Sequence, residues 1–429
     1  MDQNALFTIA LNLSAPWKIL EIKFIEPTVV VPKNIKGMSE QDRLRNAERK
    51  QLHIYLTFDR GSKFACPDCG EMVSAYDTSP HQWRHLNFFE YECYIHADLP
   101  RVKCHEHGVK TVNVPWARPS SGFTLLFESM VVLLSQQMTP TEVARTVYEH
   151  DTLIWRILKH YVGKAREYSD FSNVTAIGFD ETSTKGQNYI TVVANLDADN
   201  HKVLYVTEGK DKGAVDRFKE DFISHKGAPE KITVTTSDMA IGFIDHVKEN
   251  FINSEQVIDK FHVIKAINNG VDAVRKDEVK EKSFLKQTKY LWLRNEKTLS
   301  EKQLQLKMDL MRKHPKVGRA YSMRVELQNI YEESTTRMEA EERLDKLCSW
   351  MRHSRLEPMK KVASTLKNHK EQILNYFENK YTNAILEGLN SIIQNVKRKA
   401  RGFRNTQNFI LMIYLVTGDI KLDYVLRHG

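Results

Sequence analysis

Two short cysteine motifs, CPDC at 66–69 and CHEH at 104–107, constrain this chain more than any other feature. In each, two intervening residues let a tight knuckle turn both ends toward one ion. The 34 residues between the motifs must then run out and back as a hairpin, so that the knuckles meet. Thiolates and imidazoles suit zinc best. Cys66, Cys69, Cys104 and His107 are therefore the expected ligands of one structural zinc ion, with His105 as an alternative to His107. Cys93 and His96 fall on a strand-like stretch and are expected to be bystanders. Four strong ligands leave no open position, so this metal is not expected to do chemistry. Five cysteines, unevenly placed, do not make a disulfide framework and fit a reducing cytoplasm.

The rest of the 429 residues must supply further domains, and 41% hydrophobic residues are enough for at least one large core. A net charge of +8 and a pI near 9.0 favour an acidic partner, nucleic acid being the commonest. The first residues, MDQNALFTIALNLSAPWK, lack a cationic start and break at Pro16, which argues against a signal peptide. No stretch is long and apolar enough for a membrane span.

Before the cysteine cluster, strand-like runs at 21–31 and 52–58 flank a charged segment, 37–51. After it, VPWARPSSG (114–122) reads as a linker. TPTEVARTV then begins with a Thr-Pro pair and an acid three residues after the Thr, a helix start. A break near 149–151 and a longer basic helix follow, the pattern of a helix-turn-helix with Trp155, Arg156, Lys159 and His160 near its exposed face. From Val174 the pattern changes. VTAIGFD, YITVVANLD and KVLYVTEG read as a three-strand meander, followed by alternating helices and strands that predict an α/β layer with a mixed sheet. Residues 266–376 read as helical and charged.

Acids stand at telling places. Asp180 and Asp238 each end a strand-like run, where acids of neighbouring strands converge on one sheet edge. Alternatively, Asp180 forms a turn and Asp238 caps the helix 241–250. In AILEGLNSIIQNVKRKARGFRN (384–405), Ile385, Leu389, Ile392, Ile393 and Val396 predict one apolar face, with Glu387 nearly opposite. Three carboxylates are what two hard divalent ions need to hold a phosphodiester and activate an attacking oxygen. Asp259 and His262 are possible supports of that site; alternatively, Asp259 caps the helix starting at Phe261 and His262 packs below it. Lys397, Arg398, Lys399, Arg401 and Arg404 form an acid-free basic run beyond Glu387, suited to phosphates.

In order, Asp180-Glu, Thr-Ser-Asp238-Met, Asp259-Lys-Phe-His262 and Asn383-Ala-Ile-Leu-Glu387-Gly-Leu-Asn resemble the signatures of DDE transposases of the ISL-three group of bacterial insertion sequences. The resemblance spans roughly residues 15 to 418. It departs in the charged insert at 37–51 and in a second zinc knuckle that ends in histidine. It implies a multidomain α+β chain: an N-terminal β region (1–60), a zinc ribbon (61–117) and a helix-turn-helix (118–170). A ribonuclease-H-like α/β catalytic domain (171–265 and 377–429) follows, interrupted by an all-helical insertion (266–376). Asp180, Asp238 and Glu387 become its catalytic triad, holding two Mg²⁺ or Mn²⁺ ions. The implied activity is cleavage and strand transfer of double-stranded DNA, at terminal inverted repeats and at a target. A homodimer or larger assembly in the cytoplasm, on the nucleoid, is implied too. A structure-selective nuclease of the same fold, or a zinc-ribbon regulator with an inactive core, are the alternatives.

Overall fold

The computed structural model describes residues 3–26, 49–184, 188–197, 201–209, 211, 213–239, 241–313, 315–379 and 384–420. The charged segment 37–51 lies outside these residues up to position 48, as does Asn383. The chain divides into two compact units, one of Met1–Ala165 and Leu422–Gly429, the other of Arg166–Lys421.

The first unit opens with helix α1 (Gln3–Ala10) and strands β1 (Trp17–Ile25), β2 (Gln51–Phe58), β3 (Lys63–Ala65), β4 (Met72–Arg84), β5 (Glu92–Cys104) and β6 (Gly108–Thr111). They form one six-stranded sheet ordered β1-β2-β5-β4-β3, with β6 also on β5, so a single sheet runs across residue 60. Alternation sets its faces: Leu52, Ile54 and Leu56 of β2 are buried, while His53 and Tyr55 point the other way. Trp17 anchors the buried face, 4.9 Å from Trp116 and 5.4 Å from Phe58 between ring centroids.

Trp116 belongs to VPWARPSSG, which is no free linker. Its Trp116 and Ala117 are buried in this core. Its Arg118 and Ser121 donate to the fully buried Glu128 carboxylate, which also accepts from Tyr161 at 2.8 Å. Proline and glycine mark a break in regular structure, not in packing. Helices α2 (Leu125–Gln137), α3 (Pro140–Val147) and α4 (Asp151–Glu167) follow. The predicted start of α3 is a full capping box between Thr139 and Glu142. The turn before α4 has no glycine; Tyr148 takes the left-handed conformation there, at φ 61°.

The second unit holds the meander β7 (Ala176–Ser183), β8 (Tyr189–Asn195) and β9 (Val203–Glu208). Helix α5 (Gly213–Ser224), strand β10 (Val234–Ser237), helix α6 (Ile241–Asn250) and strand β11 (Glu255–Ile258) come next. The sheet order is β11-β10-β7-β8-β9. The meander is antiparallel, whereas β10 runs parallel to both β7 and β11. Phe218 and Phe222 of α5 and Phe251 after α6 pack with Phe179 of β7 in one core cluster.

Helices then take over: α7 (Lys260–Val279), α8 (Lys289–Leu293), α9 (Glu301–Lys313), α10 (Pro315–Glu333), α11 (Arg337–His353), α12 (Glu357–Asn368) and α13 (Lys370–Asn379). They enclose a core around Trp292, Leu327, Met351 and Met359 that also takes in Ile244 of α6 and Ile258 of β11. Helices α14 (Ala384–Lys399) and α15 (Thr406–Thr417) return to the sheet; Tyr414 accepts the Val206 N–H of β9 at 2.8 Å. Among the described residues, no helix is long and apolar enough to cross a membrane.

Candidate functional site

The parallel strands of the second unit align its acids. Val234, Thr235 and Thr236 of β10 stand opposite Ala176, Ile177 and Gly178 of β7, and Ser237 stands opposite Ile258 of β11. Asp238 and Asp259 directly follow β10 and β11, and Asp180 lies two residues past the last β7–β10 pair, so the three acids fall at the same end of the sheet. Asp180 does not end its strand, because β7 runs on to Ser183 against β8. What ends beside it is β10, at Ser237.

Helix α14 brings the fourth acid. Its buried stripe is Leu386, Leu389 and Ile393, with Ile392 exposed, so the face is turned from the one predicted. Glu387, exposed, sits on the flank of that stripe, about 100° from Leu386. Two contacts set the helix on β7. A Cβ at Gly178 would lie 2.5 Å from the Leu386 Cδ1, so the bare glycine allows the close approach. Asn390 donates to Asp180 Oδ2 and accepts from the Thr182 hydroxyl at 3.0 Å.

The acids share a field. Burial pushes the Asp180 carboxyl above its ordinary range; the Glu181 N–H, His262 and Asn390 oppose this, and Asp238 adds to it. Burial also raises Asp259, opposed by the Phe261 N–H and His262 and reinforced by Glu387 and Asp180. Asp259 caps α7 as well, accepting from Phe261 N–H at 3.0 Å, so its capping does not take it from the acidic group. Carboxylates whose charges raise the proton affinity of Asp180 and Asp259 offer a site for a divalent cation, whose charge would relieve the repulsion.

In the first unit, the donor atoms of Cys66, Cys69, Cys104 and His107 lie within 4.8 Å of one another. Cys69 and Cys104 sulfurs are 3.6 Å apart, and Cys104 Sγ is 3.5 Å from His107 Nδ1. A tetrahedral zinc with sulfurs at its usual bond length needs about 3.7 Å between them, so the set fits. His105 stays outside this cluster. Cys93 is buried on β5, its thiol pushed up to about 12, and His96 stacks on Tyr55 at 4.6 Å. On α4, Arg156 and Lys159 are exposed and His160 half-buried.

A transposase family model, the DDE domain of the ISL3 group, matches residues 177–413, more than half of the chain. The chain belongs to the ISL3 transposase family. It is a DDE-type transposase, an enzyme of an insertion sequence, with a helix-turn-helix for DNA. A model for the helix-turn-helix domain of transposase family ISL3 covers 112–162. Another, for the zinc-finger of transposases of IS204, IS1001, IS1096 and IS1165, covers 62–107. The chain is 27% identical over 402 residues to the transposase for insertion sequence element IS1557 of Mycobacterium tuberculosis, spanning 85% of this chain and 88% of that one. It is 24% identical over 380 residues to the transposase for IS1001 of Bordetella parapertussis, spanning 85% and 91%.

In the transposase's basic run, Lys397 is half-buried and donates to the Ser183 carbonyl at 2.7 Å, which ties it to β7. Arg398, Lys399, Arg401 and Arg404 are exposed. Two residues near the acids escape sequence reasoning. Asn390 stands one helical turn after Glu387, a spacing that flags a shared face. His369, buried between α12 and α13, lies in the field of Asp238, and burial lowers its proton affinity; no sequence signal links the two.

Proposed function

We propose that this transposase recognises the terminal inverted repeats of its element, then cuts and joins DNA at Asp180, Asp238 and Glu387. The observation that carries the reading is the parallel register that aligns Asp180 with Asp238, with Asn390 tying the Glu387 helix to Asp180. Carboxylate oxygens are hard donors, which fit magnesium or manganese. Two such ions, when bound, polarise the phosphodiester and lower the pKa of the attacking oxygen. Asp259 and His262 support the triad, Asp259 by holding the start of α7 beside it. Water attacks first, at the element's end; the freed 3′ hydroxyl then attacks target DNA. Both steps are phosphoryl transfers that differ only in the nucleophile, so one site serves both.

In this reading the second unit is a ribonuclease-H-like layer, and the helices between β11 and α14 are its insertion. Cys66, Cys69, Cys104 and His107 hold one structural zinc. Arg156, Lys159 and His160 meet the inverted repeat, while Lys397, Arg398, Lys399, Arg401 and Arg404 serve the phosphates near the cut. Joining two ends in one complex calls for a homodimer or larger assembly, working in the cytoplasm on the nucleoid.

The deciding experiment incubates the full chain with labelled element ends and Mg²⁺ and maps the products. Nicks at the element boundary together with joined strands are expected. Nicks without joining would make it a nuclease. Sequence-specific binding with no metal-dependent nick would make it a regulator.

A further inference from the structure

Helix α13 lies along the edge strand β11: Asn375 Nδ2 donates to the Gln256 carbonyl at 2.9 Å, and Arg337 of α11 donates to Asn375 Oδ1 at 2.6 Å. This docking sets Tyr376 and Phe377 against Tyr331 of α10, with ring centroids 5.2 and 5.5 Å away. On its other side, the ammonium of Lys260 lies 5.2 Å from the centroid of the Tyr331 ring. Lys260 is the residue after Asp259, so Tyr331 stands next to the end of the acid row.

Tyr331 is only 7% exposed, and its hydroxyl is buried without a hydrogen-bond partner. Such orphans are rare, because a buried hydroxyl loses water and gains nothing in exchange. Burial raises the phenol far above its ordinary range, and Tyr376 and Asp259 add to this, so it keeps its proton. The result is a fixed donor with no acceptor, on a ring held by the residue that follows Asp259, a carboxylate with one of its oxygens on a backbone N–H. That oxygen is Asp259 Oδ1, which accepts from Phe261.

We propose that Tyr331 is a positioning residue of the carboxylate site, donating its hydroxyl to Asp259 Oδ2 when a divalent cation is bound. The helical segment between β11 and α14 would then be a working wall of the site as well as a core shared with β11. Because the bond acts through Asp259, it orients that carboxylate toward the Asp180–Asp238 pair and touches no DNA. The inference rests on the reading of the acids as a divalent-cation site.

The test uses the full chain, Mn²⁺ as probe and electron paramagnetic resonance to count free ion. Tyr331→Phe removes one oxygen that has no partner in the fold, so its thermal midpoint should match wild type. Its Mn²⁺ affinity should fall about tenfold, the usual effect of losing a group that orients a ligand. In an Asp259→Asn background the same change should cost nothing further. Unchanged Mn²⁺ affinity, full additivity with Asp259→Asn, or a midpoint that falls with the affinity would each overturn the proposal. A wild type that binds no Mn²⁺ overturns the divalent-cation reading itself, a result distinct from equal binding by wild type and Tyr331→Phe.

Discussion

The ribbon knuckles and the acid row are both places where like-charged or competing ligands are forced together, yet they are built in opposite ways. The ribbon ligands sit on two four-residue knuckles at the ends of one hairpin, β4 and β5. The hairpin, β3 and β6 at its ends, and the core that takes in Cys66 and Cys104 bring them together, and an ion would tie the two knuckles, so loss of metal should loosen that end of the sheet. The acids come from three strands and a helix, and Asn390 reaches Asp180 across 210 residues of sequence. Their positions are set by sheet register and by the apolar packing of α14 on β7. The fold holds the acids against their repulsion.

That contrast makes its sharpest claim for Asp238→Asn. Cleavage of element ends should fall by at least about a hundredfold, while end binding persists. The thermal midpoint should hold or rise, since one of the mutually repelling charges is gone. Product gels and a melting curve on the same sample check both halves; a variant that unfolds would show that the acid row, like the ribbon, is needed for folding.

Cys69→Ser should do the reverse. Metal analysis is expected to find one zinc per wild-type chain and none in the variant. Amide exchange should show the region around 62–111 opening, with end binding lost alongside. Zinc-free protein whose ribbon amides stay protected would erase the difference between the two sites.

A smaller effect is expected in the basic run beyond Glu387. Replacing Arg398, Lys399 and Arg404 with glutamine should reduce the slope of log affinity against log salt by about 1 to 3, near 0.9 per lost phosphate contact. Preference for element ends should stay. Lys397 is left alone because its bond to Ser183 makes its loss a packing defect too. A salt slope equal to wild type would remove these residues from the DNA path.

The smallest effect tests the first unit without its metal. Burial, helped by Arg84, holds His85 down to about 4, and its Nδ1 lies 2.9 Å from the Thr124 hydroxyl. The folded value is below the unfolded one, so the stability is complete above pH ~6.5 and is lost as pH falls toward 4. The full loss is about 3 kcal/mol. His85→Asn should flatten this part of the pH dependence. Comparing the two proteins between pH 7 and 4.5 cancels proton competition at the zinc ligands, and parallel curves would show that His85 does not titrate with folding.

The helix and strand pattern of the second unit was legible because its periods are clean. The meander strands and α6 lie within a few residues of their expected places, and the helices and strands alternate as expected after the meander. The ribbon ligands were legible for the same local reason, four donors at knuckle spacing. The face of α14 was not. Ile385, Ile392 and Val396 fit an apolar stripe as well as Leu386 does, and only packing on β7 chose the stripe of Leu386, Leu389 and Ile393. Glu387 accordingly flanks the buried face instead of opposing it. The buried role of VPWARPSSG was hidden too, since its partners Trp17 and Glu128 lie far off or on the next helix.

Sequence alone determined the order of the parts, the four cysteine and histidine donors that meet at the knuckles, and the capped helix-turn-helix, and it singled out Asp180, Asp238 and Glu387 as candidates. Those features depend on residues within a turn or a knuckle of each other, or on motifs in a recognisable order. Tertiary structure alone decided that Asp259 shares a sheet end with Asp180 and Asp238, that Asn390 fastens the Glu387 helix, that Lys260 meets the Tyr331 ring and that His369 lies in the field of Asp238. The reason is physical. Strand register and helix rotation are settled by which apolar side chains fill a shared core, and a shift of one residue would turn every acid to another face.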